Sequence, residues 1–201
     1  MQTSASQRTL FELAQEQSGY FTAKQAAKLG YTANKRNYHV RVGNWIRERR
    51  GIFRLALYPQ PDRPDLVLWW LWSRGRSDVP AGVFSHSTAL SLHDLTDTNP
   101  GKIDLTVPAS FRRGAAIPSV LRLHFADIPK SEREVMGGVP VTNALRTILD
   151  TRKDGKLPLA PLKQAFEQAL RSGKVTKRQV AEARDDPHRA SILNELERGA
   201  D

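Results

Sequence analysis

The chain has 201 residues, 39% hydrophobic and 26% charged, with a formal net charge of +10 and no cysteine. This is the balance of a globular protein large enough for one substantial domain or two small ones; it excludes disulfides and thiolate metal sites and fits a reducing cytosol. No apolar run approaches the roughly 20 residues that cross a bilayer, and MQTSASQRTL lacks the apolar core of a signal peptide, so the expectation is a cytoplasmic protein with no membrane partner. In chain order, Ser6 to Gln17 reads as an amphipathic helix, with Leu10, Phe11, Leu13 and Ala14 at helical spacing. SGYFT breaks it and supplies a short extended piece. Thr22 caps a second, Ala-rich helix that ends at Gly30. Thr32 caps a third, from Ala33 to about Val42, which stops at Gly43. Trp45–Arg49 and Ile52–Tyr58 then form a hairpin around Arg50-Gly51. Helix, strand, helix, turn, helix and basic hairpin is the order of a winged helix-turn-helix.

Positive charge is concentrated in this part of the chain. Residues 1–60 hold ten Lys or Arg against three Asp or Glu, whereas residues 61–201 hold 21 against 18. Such asymmetry marks a nucleic-acid-binding module joined to a more neutral body, although RNA or acidic lipid would attract the same charge. On a helical wheel Arg36, His39, Val40 and Gly43 of the third helix share the core side, with His39 as a packing residue and the Arg36 stem laid over the core. The other face carries Asn34, Lys35, Asn37, Tyr38 and Arg41, side chains able to read base edges or clamp phosphates. Thr22 and Thr32, at helix N-termini, are candidate phosphate anchors. Arg47, Arg49, Arg50 and Arg54 belong to the wing. A solvated basic hairpin would explain the charge, but not its coincidence with the helix-turn-helix order.

Pro59 to Asp65 (PQPDRPD) is the expected linker between a domain of residues 1–58 and one of residues 66–201. Leu66 to Arg74 is a helix loaded with Trp69, Trp70 and Trp72. These cannot all share one face, so two are expected in a core and one on a second surface. KIDLTVP (Lys102–Pro108) and VLRLHF (Val120–Phe125) alternate as half-buried strands, and REVMGGVPVT turns as a hairpin at Gly137-Gly138. Thr142 or Asn143 caps a helix through about Arg152. Pro161 opens another near its first turn, ending at Gly173, and Thr176 caps a third. The fold class is α+β: a winged helix followed by a mixed α/β domain ending in helices.

Enzymatic motifs are weak. In SHSTALSLHD, His86 and His93 stand seven apart beside Ser85, Ser87 and Asp94, but neither His at i and i+4 with an intervening Glu nor a G-x-S-x-G elbow is present. A capped helix with structural histidines is the simpler reading. Asp104 could serve a metal-dependent nuclease, yet the following strand offers only Arg122 and His124 where a carboxylate and a lysine are required. No Gly-rich phosphate loop occurs, and no Gly-Ser dipeptide of the kind a nucleotidyltransferase needs. The expectation is a non-enzyme without cofactor or metal.

Thr22 with its Ala-rich helix, Gly30-Tyr31, Tyr38-His39-Val40, Gly43, Trp45, Arg47 and Gly51-Ile52-Phe53-Arg54 resemble the N-terminal winged helix of AbiEi-type antitoxins. FSHSTALSLHDL (Phe84–Leu95), KIDLTVP and GVPVTNALRTILD (Gly138–Asp150) resemble successive blocks of that family's C-terminal region, so that the resemblance covers most of residues 5–185. It implies a transcriptional autoregulator that represses its own operon and counters a cognate nucleotidyltransferase-like toxin. Its DNA would be duplex operator with repeated half-sites, and pairing of copies on DNA would add affinity. Lys163, Arg171, Lys174, Lys177 and Arg178 form the candidate partner surface of the second domain. The alternatives are a stand-alone winged-helix regulator and a protein-interaction module without toxin neutralisation.

Overall fold

A computed structural model of the chain describes residues 5–75, 78–97, 101–114 and 116–198; the expected domains of residues 1–58 and 66–201 begin and end on residues outside these. The chain divides into two compact units, one running through Ala81 and taking in Gly137–Val139, the other comprising Gly82–Met136 and the residues from Pro140 onward.

The first unit is built from α1 (Ala5–Gln15), β1 (Tyr20–Thr22), α2 (Ala23–Lys28), α3 (Ala33–Arg41), β2 (Trp45–Arg49), β3 (Ile52–Leu55) and α4 (Pro64–Trp72). Local chemistry explains the boundaries. Thr22 accepts from the Gln25 backbone N–H while the Gln25 side chain accepts from the Thr22 N–H, a capping box that fixes the start of α2. Thr32 caps α3 by accepting from the Lys35 N–H, without a reciprocal bond. Gly51 turns the wing at φ +77°, a left-handed conformation that side chains resist. The three strands lie in the order β1-β3-β2, antiparallel, with Phe21 opposite Phe53 and an irregularity between Arg47 and Arg49. Leu10, Ala14, Phe21, Ala26, Tyr31, Trp45 and Phe53 form the core.

One expectation is corrected here. The boundary does not fall at residues 59–65: α4 packs on β1 and β3 and belongs to the first unit. Its nearly all-apolar sequence buries Leu66, Val67, Trp69, Leu71 and Trp72, leaving Trp70 half-buried. Pro64 opens it at the first helical position, so the proline-rich stretch starts a helix rather than ending a domain.

The second unit carries a five-stranded mixed sheet in the order β6-β5-β4-β8-β7, from β4 (Val83–Phe84), β5 (Ile103–Val107), β6 (Leu121–Phe125), β7 (Arg133–Met136) and β8 (Val139–Thr142). β5 and β6 run parallel, pairing Asp104 with Arg122 and Thr106 with His124. The helices are α5 (His86–Leu92), α6 (Ala144–Asp154), α7 (Leu159–Arg171), α8 (Lys177–Ala183) and α9 (Pro187–Glu197). Asn143 caps α6, Thr176 caps α8 through a second capping box, and Asp186 caps α9. α7 begins two residues before the expected Pro161, whose missing N–H costs nothing within the first helical turn. Leu90, Leu145, Ile148, Leu162, Phe166 and Leu193 are among the residues that close the core between these helices.

Candidate nucleic-acid interface

The face of α3 follows the period of its sequence. Asn34, Lys35, Asn37, Tyr38 and Arg41 are exposed, whereas Arg36, His39 and Val40 are half-buried. His39 stacks on Trp45, ring centroids 4.6 Å apart and 14° from parallel, and burial lowers its pKa below the ordinary imidazole value. It anchors α3 to the core through a neutral ring. Arg36 is held as well: its Nη1 donates to the Tyr31 carbonyl at 2.6 Å. Arg41 lies over the Tyr38 ring, 5.7 Å from its centroid, so these two outward side chains are presented together.

Between α3 and the wing lies a notch of about 320 Å³ lined by Arg36, Asn37, Arg47, Arg50 and Phe53 among others. Arg47 Nη2 donates to Asn37 Oδ1 at 2.7 Å, joining wing to helix. Arg50 is exposed and forms no ion pair among the described residues. Among residues 17–61 Glu48 is the sole carboxylate, and it is consumed by Arg54 at 2.8 Å. The outer surface of helix and wing therefore combines amide, phenol and guanidinium groups with no opposing acid, as a phosphate backbone with readable base edges requires.

Three of the candidate residues are committed elsewhere. Thr22 is fully buried and its hydroxyl caps α2, so it is no phosphate anchor. Arg54 is 9% exposed and bonds the Leu55 and Tyr58 carbonyls as well as Glu48. β3 is the central strand, covered on both faces, and Arg54 serves as its internal brace. Arg49 is exposed on the wing, but its guanidinium lies 4.3 Å from the Trp69 ring centroid on α4. Sequence periodicity gave no signal for that contact. Thr32 stays exposed while its hydroxyl caps α3.

The second-unit surface is more neutral than its sequence suggests. Lys174 reaches the His93 carbonyl and lies 3.9 Å from Asp94, Lys163 reaches the Arg198 carbonyl, and Arg178 pairs with Glu182 at 2.7 Å. Among the described residues Lys163, Arg171 and Lys177 remain without an ion pair, and Arg171 and Lys177 also without the carbonyl contact that holds Lys163. His93 is a satisfied core histidine, its Nε2 2.8 Å from the Thr142 carbonyl oxygen.

A capped helix-turn-helix followed by a braced basic wing defines a winged-helix DNA-binding module at the head of an α+β protein. Residues 8–56 match the family described as transcriptional regulator, AbiEi antitoxin, which supports an AbiEi-type classification of that segment. That family is one of regulators, not of enzymes. Among solved structures the chain is similar to the RV2827C protein from Mycobacterium tuberculosis, at 13% identity over 96% of this chain and 77% of that one, with a TM-score of 0.56. At that identity the likeness is one of fold. No curated protein matches the sequence. Among the described residues no helix is long and apolar enough to cross a membrane.

Proposed function

We propose that the protein represses transcription of its own operon, with α3 in the major groove and the β2–β3 wing on the neighbouring backbone. The observation that carries this reading is the acid-free outer face of α3 and wing, where Asn34, Lys35, Tyr38, Arg41 and Arg50 are exposed. Arg41 is assigned to a base edge and Arg50 to a phosphate; Asn37 and Arg47 position the two elements against each other. Operators with repeated half-sites would bring copies together on DNA, since one winged helix offers few base contacts. Titration of the chain's own upstream DNA at two salt concentrations tests this. Arg41→Ala should cost about 1–3 kcal/mol and relax specificity at one position. Binding indifferent to sequence and to Arg41 would sink the reading.

The second unit, on this view, counters a nucleotidyltransferase-like toxin, because the recognition helix and wing are already committed to DNA. Arg171 and Lys177 are exposed cations of the candidate surface without an ion pair among the described residues, and the first side chains to test. Reversing both to Glu and scoring growth rescue alongside operator binding separates the tasks: loss of rescue with intact DNA binding supports a toxin-facing surface, and unchanged rescue removes these residues from it.

A further inference from the structure

The second unit holds a buried polar cluster that DNA binding does not use. Asp104, Ser85, Thr88 and Thr106 are at most 2% exposed and His86 is 8% exposed, in a region that packing alone would fill with apolar side chains. His124 Nε2 lies 2.8 Å from Asp104 Oδ1 and donates to it, which leaves Nδ1 as the unused position of that ring. His86 Nδ1 lies 2.9 Å from Ser85 Oγ, which is itself 2.7 Å from Thr106 Oγ1, leaving His86 Nε2 unused. The two imidazoles stack with centroids 3.5 Å apart and planes 11° from parallel. His86 adopts φ +50°, a strained conformation for a residue with a side chain. Asp104 Oδ2 is buried without a hydrogen-bond partner.

This cluster borders a cavity of about 360 Å³ whose wall includes His86, Thr106, His124, Asp150, Lys153 and Asp154. Its carboxylates are already neutralised: Arg146 bonds Asp150 at 2.7 Å and Lys156 bonds Asp154 at 2.8 Å. Lys153 is exposed and has no ion pair among the described residues. Nor do the described residues hold a group of His, Asp and Glu arranged for a metal ion. The unspent groups are one ammonium, which suits an anion, and two imidazole edges.

We infer that this cavity is a binding site for a phosphomonoester, held by Lys153 at its rim and by the stacked His86–His124 pair in its wall. Phosphate oxygens favour charge-assisted donors, and the exposed Lys153 ammonium at the rim supplies one. His86 stays neutral, since burial and the adjacent His124 hold its pKa down to about 4. The volume lies in the range of small-molecule sites, roughly 300–1,000 Å³, and exceeds what inorganic phosphate needs, so the ester carries an organic group.

The test is a titration of the full-length protein with AMP, inorganic phosphate and adenosine, followed through the imidazole nitrogen resonances of its five histidines. AMP should shift His86 and His124 saturably and leave His39 and His188 unmoved. Phosphate should do the same more weakly, and adenosine should not. Lys153→Ala, a change at an exposed position that the fold tolerates, should weaken AMP binding about tenfold. Silence at both imidazoles, equal shifts with adenosine, tighter binding of inorganic phosphate than of AMP, or indifference to Lys153→Ala would each overturn the assignment.

Discussion

Arg50 and Arg54 stand four residues apart on the same hairpin and do opposite things. Arg50 is exposed, so Arg50→Ala should leave the melting temperature unchanged, weaken all DNA sequences alike and lower the salt slope of binding by about one. Arg54 is buried and bonds Glu48 and two backbone carbonyls, so Arg54→Ala should cost roughly 1–3 kcal/mol of folding stability, read as a lower midpoint in urea. His86 gives a pH prediction. Its folded pKa is about 4 against 6.5 for the free side chain, so between those values the unfolded chain binds a proton that the folded chain refuses. This contribution to stability is complete above about pH 6.5 and is lost as pH falls towards 4, by about 3 kcal/mol in all. Urea melts across that window should show the decline, and His86→Asn, which tolerates positive φ, should flatten it. A wild-type profile unchanged by the substitution would refute the assignment.

Among the elements, the wing is tied to α4 through Arg49 and Trp69. A double-mutant cycle on Arg49→Ala and Trp69→Leu should return a coupling of about 0.5–2 kcal/mol, whereas a pair that merely lies close would show none. The caps of α2, α3, α6 and α8 were legible in the sequence because Thr22, Thr32, Asn143 and Thr176 act within three residues of themselves. The exposed face of α3 was legible for a similar reason: a 3.6-residue period fixes which side chains share a side. Arg54 was not, because its burial depends on β3 being a central strand, a fact that local pattern does not carry. β4, two residues long, has no alternation to read. α9 escaped the reading although Asp186-Pro187 supplies both an N-cap and a proline at the first helical position. The polar cavity of the second unit draws Ser85, Asp104 and His124 from three separate segments, which the antiparallel pairing of β4 with β5 and the parallel register of β5 and β6 bring together.

At the scale of the whole molecule, α4 decides how the chain can be cut. A fragment ending at Ala81 retains the helix on β1 and β3 and should melt cooperatively and bind operator DNA with the salt dependence of the full chain. One ending at Tyr58 strips the cover from Tyr20, now 1% exposed, and should be markedly less stable by circular dichroism. Equal stability of the two would remove α4 from the DNA-binding unit. The hydrogen bond between Arg47 and Asn37 has a kinetic meaning. A wing already fastened to its helix meets DNA as a preset mould and has little ordering left to complete after contact. Encounter with right and wrong sequences should then proceed at similar speed, and the protein would tell them apart by how long it stays.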